Sequence, residues 1–167
     1  MRRADPRLVL FFCRVNHAGP IMAEAILNHL ARGRLRAMSV GCDSSGGIHP
    51  YASECLAAHG ISAQIVRNTS RRAVVGPGAP AAHFLITLCE VKSHHCPIPA
   101  EPAPCVCAHW SMPDPAAVVG CAIDQQLAFE EAFVTLHSRI RRFLALPLER
   151  LRDRALSAEL TRIGETL

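Results

Sequence analysis

The feature that most constrains the fold is a set of short apolar runs that do not alternate with polar residues, each set off by turn-forming sequence. Leu8 to Phe12 and the stretch "HFLITLC" at 83–89 are of this kind, and Leu35 to Val40, interrupted by Arg36 and Ser39, and "CVCAHW" at 105–110 are further strand candidates. A strand with one wet face alternates in period two, whereas a run that is apolar throughout is buried on both faces, as in a parallel sheet. Parallel neighbours require crossover connections, and the sequence between the runs supplies helices.

Met22, Ile26, Leu27 and Leu30 have helical spacing, with Pro20 suited to the first turn. A second helix is predicted from about Pro50 to His59, stopping at Gly60 after the turn "DSSGG". Ile123, Leu127, Phe129, Phe133, Leu136, Ile140 and Phe143 step by two to four and predict a long amphipathic helix broken at Pro147. A shorter helix carrying Leu151, Leu160 and Ile163 follows. The segments "RNTSRRAVVGPGAP" and "EVKSHHCPIPAEPAP" read as loops, the second too rich in proline for a helix. The order predicts an α/β fold, a three-layer sandwich in which a four-stranded parallel sheet is flanked by helices.

At 167 residues, half of them hydrophobic, residues 1–167 are expected to form one domain. The net charge of +4 comes from scattered basic residues, and six Phe, one Tyr and one Trp leave no aromatic platform for stacking bases. Nucleic acid is therefore excluded as a partner. The run Leu8 to Cys13 is too short for a membrane span and is not followed by a cleavage-site pattern, so no membrane partner and a cytoplasmic location are expected. Eight cysteines in a core-rich chain of this length read as reduced thiols rather than a disulfide scaffold. Cys42, Cys55 and Cys121 are expected to act as small hydrophobes in or near the core.

Open α/β sheets carry their sites at the carboxyl ends of the strands, and Cys13 and Cys89 both fall there. A loop between the first strand and first helix can turn its backbone N–H groups toward an oxyanion, aided by the positive end of the helix. The same field lowers the pKa of a thiol. Cys13 is thus placed either as a nucleophile toward a phosphorus or arsenic centre or as a structural thiol at a strand end.

The stretches "VLFFCRVNHAGPIMAEAILNHLA", "SVG", "HP", "GI", "FLITLCEVKSHHCP", "HWSMPDPAA" and "FLALPLERL", in this order and spacing, resemble the arsenate reductases of the low-molecular-weight protein tyrosine phosphatase family. The resemblance implies a four-stranded parallel sheet wrapped by helices and no bound cofactor. It implies that Cys13 is the nucleophile in an anion-binding loop of Arg14, Val15, Asn16, His17, Ala18 and Gly19. Asn16 would brace the loop backbone, and Asp114 before Pro115 would stand near the leaving group. Cys89 and Cys96, seven positions apart as in thioredoxin-coupled arsenate reductases, would carry a disulfide outward. The implied partners are arsenate or a phosphate-like oxyanion and thioredoxin or another thiol reductant.

The chain departs from the family pattern inside that loop. Where the family has an arginine followed by serine or threonine, this chain has Gly19 and Pro20. An arginine fork binds the equatorial oxygens of the anion and concentrates positive charge where negative charge develops. Its loss costs on the order of 10³ to 10⁵ in rate in related phosphoryl transfers. Proline supplies neither the hydroxyl nor an N–H. Val15 stands where the family often has glycine, and a β-branched residue resists positive φ. Arg14 or His17 is a conceivable replacement cation.

Three readings therefore stand: an arsenate reductase with weak or lost activity, a non-catalytic relative that binds an oxyanion, trivalent arsenic or a soft metal, and a tyrosine phosphatase. Cys105, Cys107 and His109 alternate along one strand face and, with His94 and His95, offer soft and borderline ligands. Their spacing is not that of a familiar zinc site, and buried thiols with a packed histidine are the expectation. "RNTSRR" at 67–72 is read as a solvated loop, with a basic rim for the pocket as the alternative.

Overall fold

The structure, a computed structural model, describes residues 6–43, 46–63, 69–70, 79–90 and 105–166. In chain order the elements are β1 (Arg7–Val15), α1 (Gly19–Ala31), β2 (Leu35–Asp43), α2 (Pro50–Ala58), β3 (Thr69–Ser70), β4 (Phe84–Thr87), β5 (Val106–His109), a 3₁₀ turn at Pro115–Ala117, α3 (Ala122–Ala145) and α4 (Asp153–Glu165). The sheet order is β3-β2-β1-β4-β5 and every pairing is parallel. The four expected strands form it, with the two-residue β3 added at the edge. β3 falls inside "RNTSRR", of which only Thr69 and Ser70 are described.

β1 lies inside the sheet, so its side chains alternate between two dry faces. Val9 and Phe11 enter the larger core with α1, α2, α3 and α4, whereas Leu8, Leu10 and Phe12 join Val40, Ala82 and Leu85 in a smaller cluster on the other face. This two-sided burial explains the missing period-two pattern. The larger core centres on Trp110, whose ring meets Phe143 edge-on at 6.2 Å while Phe84 meets Phe143 at 5.2 Å. Such pairs contribute about 0.5–1.5 kcal/mol each beyond the area they bury. The indole N–H donates to the Leu160 carbonyl at 2.8 Å, so the polar edge of Trp110 is satisfied in the core.

Local chemistry sets the helix ends. α1 stops where Arg32 and Gly33 adopt φ of 47° and 82°, and α2 where Gly60 adopts 71°. The His49 side chain caps α2 by accepting from the Tyr51 N–H at 3.2 Å. α3 begins with a reciprocal cap between Cys121 and Asp124. Cys121 and Cys42 are exposed, so only Cys55 of that trio is the buried small residue expected. Cys121 departs because Asp124, three positions on, accepts its thiol at 3.1 Å and draws it to the helix end. Ile123 and Leu127 of the predicted amphipathic stripe are 73% and 57% exposed, because the first turns of α3 extend past the core. Leu151 precedes α4 but packs on the core. Among the described residues no helix is long and apolar enough to cross a membrane.

Candidate functional site

β1 and β4 deliver two thiols to the same edge of the sheet. Cys13 lies near the carboxyl end of β1, paired in register with Gly41, and Cys89 lies two residues beyond β4. Because β1 and β4 are parallel neighbours, their C-terminal ends coincide, and the Cys13 and Cys89 thiols hydrogen-bond to each other. They share a cavity of about 610 Å³ with Arg14, Val15, Gly19, Leu88 and Met112, and Asp114 stands at its wall.

The electrostatics of Cys13 are divided. The hydrogen bond from Cys89 and then burial push its thiol well above the ordinary range, while the backbone N–H groups of Val15 and Arg14 pull it down. The upward influences win. The thiol is therefore protonated in the resting protein, unlike a nucleophile held as thiolate by a helix end and a cation.

The backbone after Cys13 explains why the downward pull is small. β1 continues to Val15, which pairs with Asp43 of β2, so the segment expected to begin the anion loop is extended at its start. Among the described residues, Arg32 is the one non-glycine residue with positive φ, and Val15 stays in the extended region that a β-branched side chain prefers. The chain turns at Asn16–Ala18 into α1, where Pro20 occupies the first turn and no side chain caps the helix.

Asn16 is buried and donates from Nδ2 to Ser39 Oγ at 3.2 Å, and the Ser39 N–H donates to Glu24 Oε2 at 2.7 Å. This network ties the turn to β2 and α1. The Asn16 contact in it is with the Ser39 side chain rather than with the loop backbone, and Glu24 and Ser39 carry no local sequence signal. The His17 carbonyl accepts from the His49 N–H at 2.8 Å, and the two rings lie 6.1 Å apart. Burial, then the neighbouring His17, hold the His49 imidazole below the usual histidine range against the pull of Asp114. His49 is thus biased toward its neutral form. Arg14 is exposed.

Gly19 sits between Leu88 and Met112. A Cβ there would lie 3.9 Å from Leu88 Cδ1 and 3.9 Å from Met112 Sδ, which is ordinary contact. The site therefore has room for a side chain, and the absence of one leaves an apolar wall where an anion would need donors.

Asp114 is exposed and accepts from the Ala116 N–H at 3.0 Å, capping the 3₁₀ turn that begins at Pro115. Behind it Arg139, which is 5% exposed, donates to the carbonyls of Trp110 and Ser111 at 3.3 and 3.1 Å and to that of Gly164 at 2.8 Å. This buried guanidinium fixes the chain between β5 and Asp114. The helical pattern around it hid Arg139 among surface positions.

Cys96, His94 and His95 lie outside the described residues. Cys105 and Cys107 share the predicted face, with their Sγ atoms 3.5 Å apart, and are half-buried against the smaller core cluster. His109 is exposed rather than packed, and its Nδ1 lies 2.6 Å from Thr87 Oγ1. None of these three lines the Cys13 cavity.

A central parallel strand with a cysteine near its carboxyl end, sharing one cavity with the first turn of the following helix and with an aspartate from a separate loop, defines a class of thiol-bearing α/β proteins. Within that class the chain belongs to the low molecular weight phosphotyrosine protein phosphatase family, which residues 8–155 match. An arsenate reductase solved in the oxidized state shares 20% identity over 83% of this chain and 97% of that one, with a TM-score of 0.67. The arsenate reductase from Archaeoglobus fulgidus shares 22% identity over 83% and 99%, with a TM-score of 0.63. A thioredoxin-dependent arsenate reductase from Corynebacterium glutamicum shares 22% identity over 84% of this chain and 61% of that one, at 0.56. Likeness at these identities is a likeness of fold. No curated protein matches the chain at a significant level.

Proposed function

We propose that this protein is a thiol-relay oxidoreductase of the arsenate reductase type whose anion clamp is weakened, acting in the cytoplasm with an external dithiol of the thioredoxin class. The observation that carries this reading is the hydrogen bond between the Cys13 and Cys89 thiols at the wall of the cavity. A phosphatase needs one thiolate and gains nothing from a second thiol that keeps it protonated. A reductase needs the second sulfur within reach of the first. The fold likeness to arsenate reductases, one of them thioredoxin-dependent, supports the same choice.

In this scheme Cys13 displaces one arsenate oxygen, which leaves as water after protonation by Asp114, and a sulfur–arsenic bond forms. Cys89 then attacks the Cys13 sulfur. The sulfur–sulfur bond forms as the sulfur–arsenic bond breaks, its electron pair stays on arsenic, and arsenic(V) departs as arsenite. Cys96 attacks Cys89, freeing Cys13, and the dithiol reduces the Cys89–Cys96 disulfide. Turnover is slow, because Gly19 gives no fork to the oxyanion and the strand-like start of the loop gathers few N–H groups.

A second reading, a non-catalytic relative that binds an oxyanion or trivalent arsenic, is favoured by that same missing clamp. Arsenate-dependent consumption of reduced thioredoxin separates the two. The wild type is expected to show slow, saturable turnover that Cys89→Ser abolishes. No arsenate-dependent consumption in the wild type establishes the binding reading. Aryl phosphate hydrolysis undiminished in Cys89→Ser, without arsenate reduction, points instead to a phosphatase.

A further inference from the structure

Cys55 of α2, His59 at its C-terminal cap and Glu130 of α3 lie away from the Cys13 cavity and share no residue with it. Cys55 Sγ, a His59 ring nitrogen and a Glu130 carboxylate oxygen all lie within 4.8 Å of one another. We propose that these three side chains form a binding site for one zinc(II)-class cation that clasps α2 to α3.

The arrangement follows from helix geometry. Cys55 and His59 are four residues apart and so stand one above the other on the face of α2 that packs on α3. Glu130 comes from the facing helix. Zinc takes sulfur, imidazole nitrogen and carboxylate oxygen at about 2.0–2.3 Å, so the donors around a tetrahedral ion stand roughly 3.3–3.6 Å apart. Movements on the order of 1 Å bring the three donors to that spacing, within the reach of side-chain rotation. A thiolate in the set selects zinc-class ions over magnesium or calcium.

The surroundings hold the donors in place without the ion. The His59 ring stacks on Phe133 with centroids 3.8 Å apart and planes 11° from parallel, which orients its nitrogen. Its Nε2 lies 2.8 Å from Glu130 Oε2, and the Cys55 thiol, which donates to the Phe129 carbonyl at 3.7 Å, is also influenced by Glu130. The carboxylate thus already faces both other donors, where a single divalent cation can join all three. Cys55 is buried at 6% exposure, whereas the His59 and Glu130 side chains are 37% and 43% exposed. The fourth coordination position therefore opens toward water, as three-ligand zinc sites require. The adjoining open cavity of about 720 Å³, lined by His29, His59 and His137 together with Arg141 and Arg142, leaves the exposed side of the site accessible to solvent.

Cobalt(II) titration of the full chain under reducing conditions tests the site, since cobalt reports thiolate ligation by a charge-transfer band. One cobalt per chain is expected, with that band and tetrahedral d–d absorption, both erased by equimolar zinc. Cys55→Ser should remove the band, and His59→Gln or Glu130→Gln should weaken cobalt binding at least tenfold. Cys13→Ser and the double variant Cys105→Ser, Cys107→Ser should leave it intact. Because Cys55 is buried, the two partly exposed positions decide the matter if Cys55→Ser fails to fold. Absence of a thiolate band in the wild type, its survival in His59→Gln and Glu130→Gln with unchanged affinity, or its loss in the Cys13 or Cys105/Cys107 variants overturns the proposal.

Discussion

Gly19→Arg combined with Pro20→Ser is the most informative perturbation of the Cys13 cavity. A Cβ at position 19 meets only Leu88 Cδ1 and Met112 Sδ, both at 3.9 Å and both on flexible side chains, so the backbone has no need to move. The added side chain emerges at the wall of a cavity of about 610 Å³ that also contains Cys13, Cys89 and Asp114. A guanidinium there supplies two forked donors to an oxyanion and a positive charge beside the Cys13 sulfur. Arginine contributions to related transfers are on the order of 10³ to 10⁵, or about 4–7 kcal/mol at about 1.36 kcal/mol per decade. The lower end is expected here, about 10³, since the extended backbone at Cys13–Val15 still withholds part of the amide cradle. The assay is kcat/KM for arsenate-dependent oxidation of reduced thioredoxin, with the unfolding midpoint measured alongside. A double variant that folds as stably as the wild type and is no faster would refute the argument that the missing fork limits the rate.

Alkylation of Cys13 by iodoacetamide should rise about tenfold per pH unit through pH 9 without a neutral plateau, because Cys89 and burial keep the thiol protonated. Cys89→Ser should accelerate it at pH 7, and a plateau below pH 7 in the wild type contradicts the assignment. Burial and then Glu130 push the Cys55 thiol from its ordinary 9.0 up to about 12. A raised thiol pKa stabilises the fold fully below pH 9 and loses that contribution as pH climbs toward 12, by about 1.4 kcal/mol at pH 10. Urea midpoints at pH 8 and pH 10 should therefore fall further in the wild type than in Cys55→Ala. Arg139→Met leaves the Trp110, Ser111 and Gly164 carbonyls without their buried donor, an expected cost of about 2–5 kcal/mol and roughly 5–15 °C in Tm. A thermal melt within 2 °C of wild type, as an order of magnitude set by about 1 kcal/mol, removes Arg139 as the anchor of the Asp114 segment. Gly164→Ala drives a Cβ into the His109 carbonyl and to 2.6 Å from Trp110 Cδ1, so α4 must retreat from β5 and the melting midpoint should drop.

The amino-acid order alone was enough for β1, β2, β4 and β5 and for the four helices, though not for the two-residue β3. β1 and β4 are dry on both faces, and that burial is written directly into unalternated runs such as Leu8–Phe12, whereas Arg36 and Cys42 of β2 and His109 of β5 reach solvent. Gly33 and Gly60 mark helix ends by their positive φ, which is also a local property. The placement of Cys13 and Cys89 at strand ends was legible for the same reason. What no linear pattern contains is which thiol touches which. That Cys89 reaches Cys13 follows from the parallel pairing of β1 with β4, and its contact pushes the Cys13 thiol above the ordinary range. The extension of β1 to Val15 is likewise fixed by its pairing with Asp43. Cys55 reads in sequence as a small core residue, and only the packing of α2 on α3 brings Glu130 to it and to His59. Arg139 sits in a helical pattern that sends charges to solvent, yet carbonyls from the segment that follows β5 and from α4 converge on it and hold it inside. Periodicity records whether a position is dry, because burial acts on each side chain separately. Hydrogen bonds and thiol contacts join positions far apart in the chain, so the tertiary fold alone decides them.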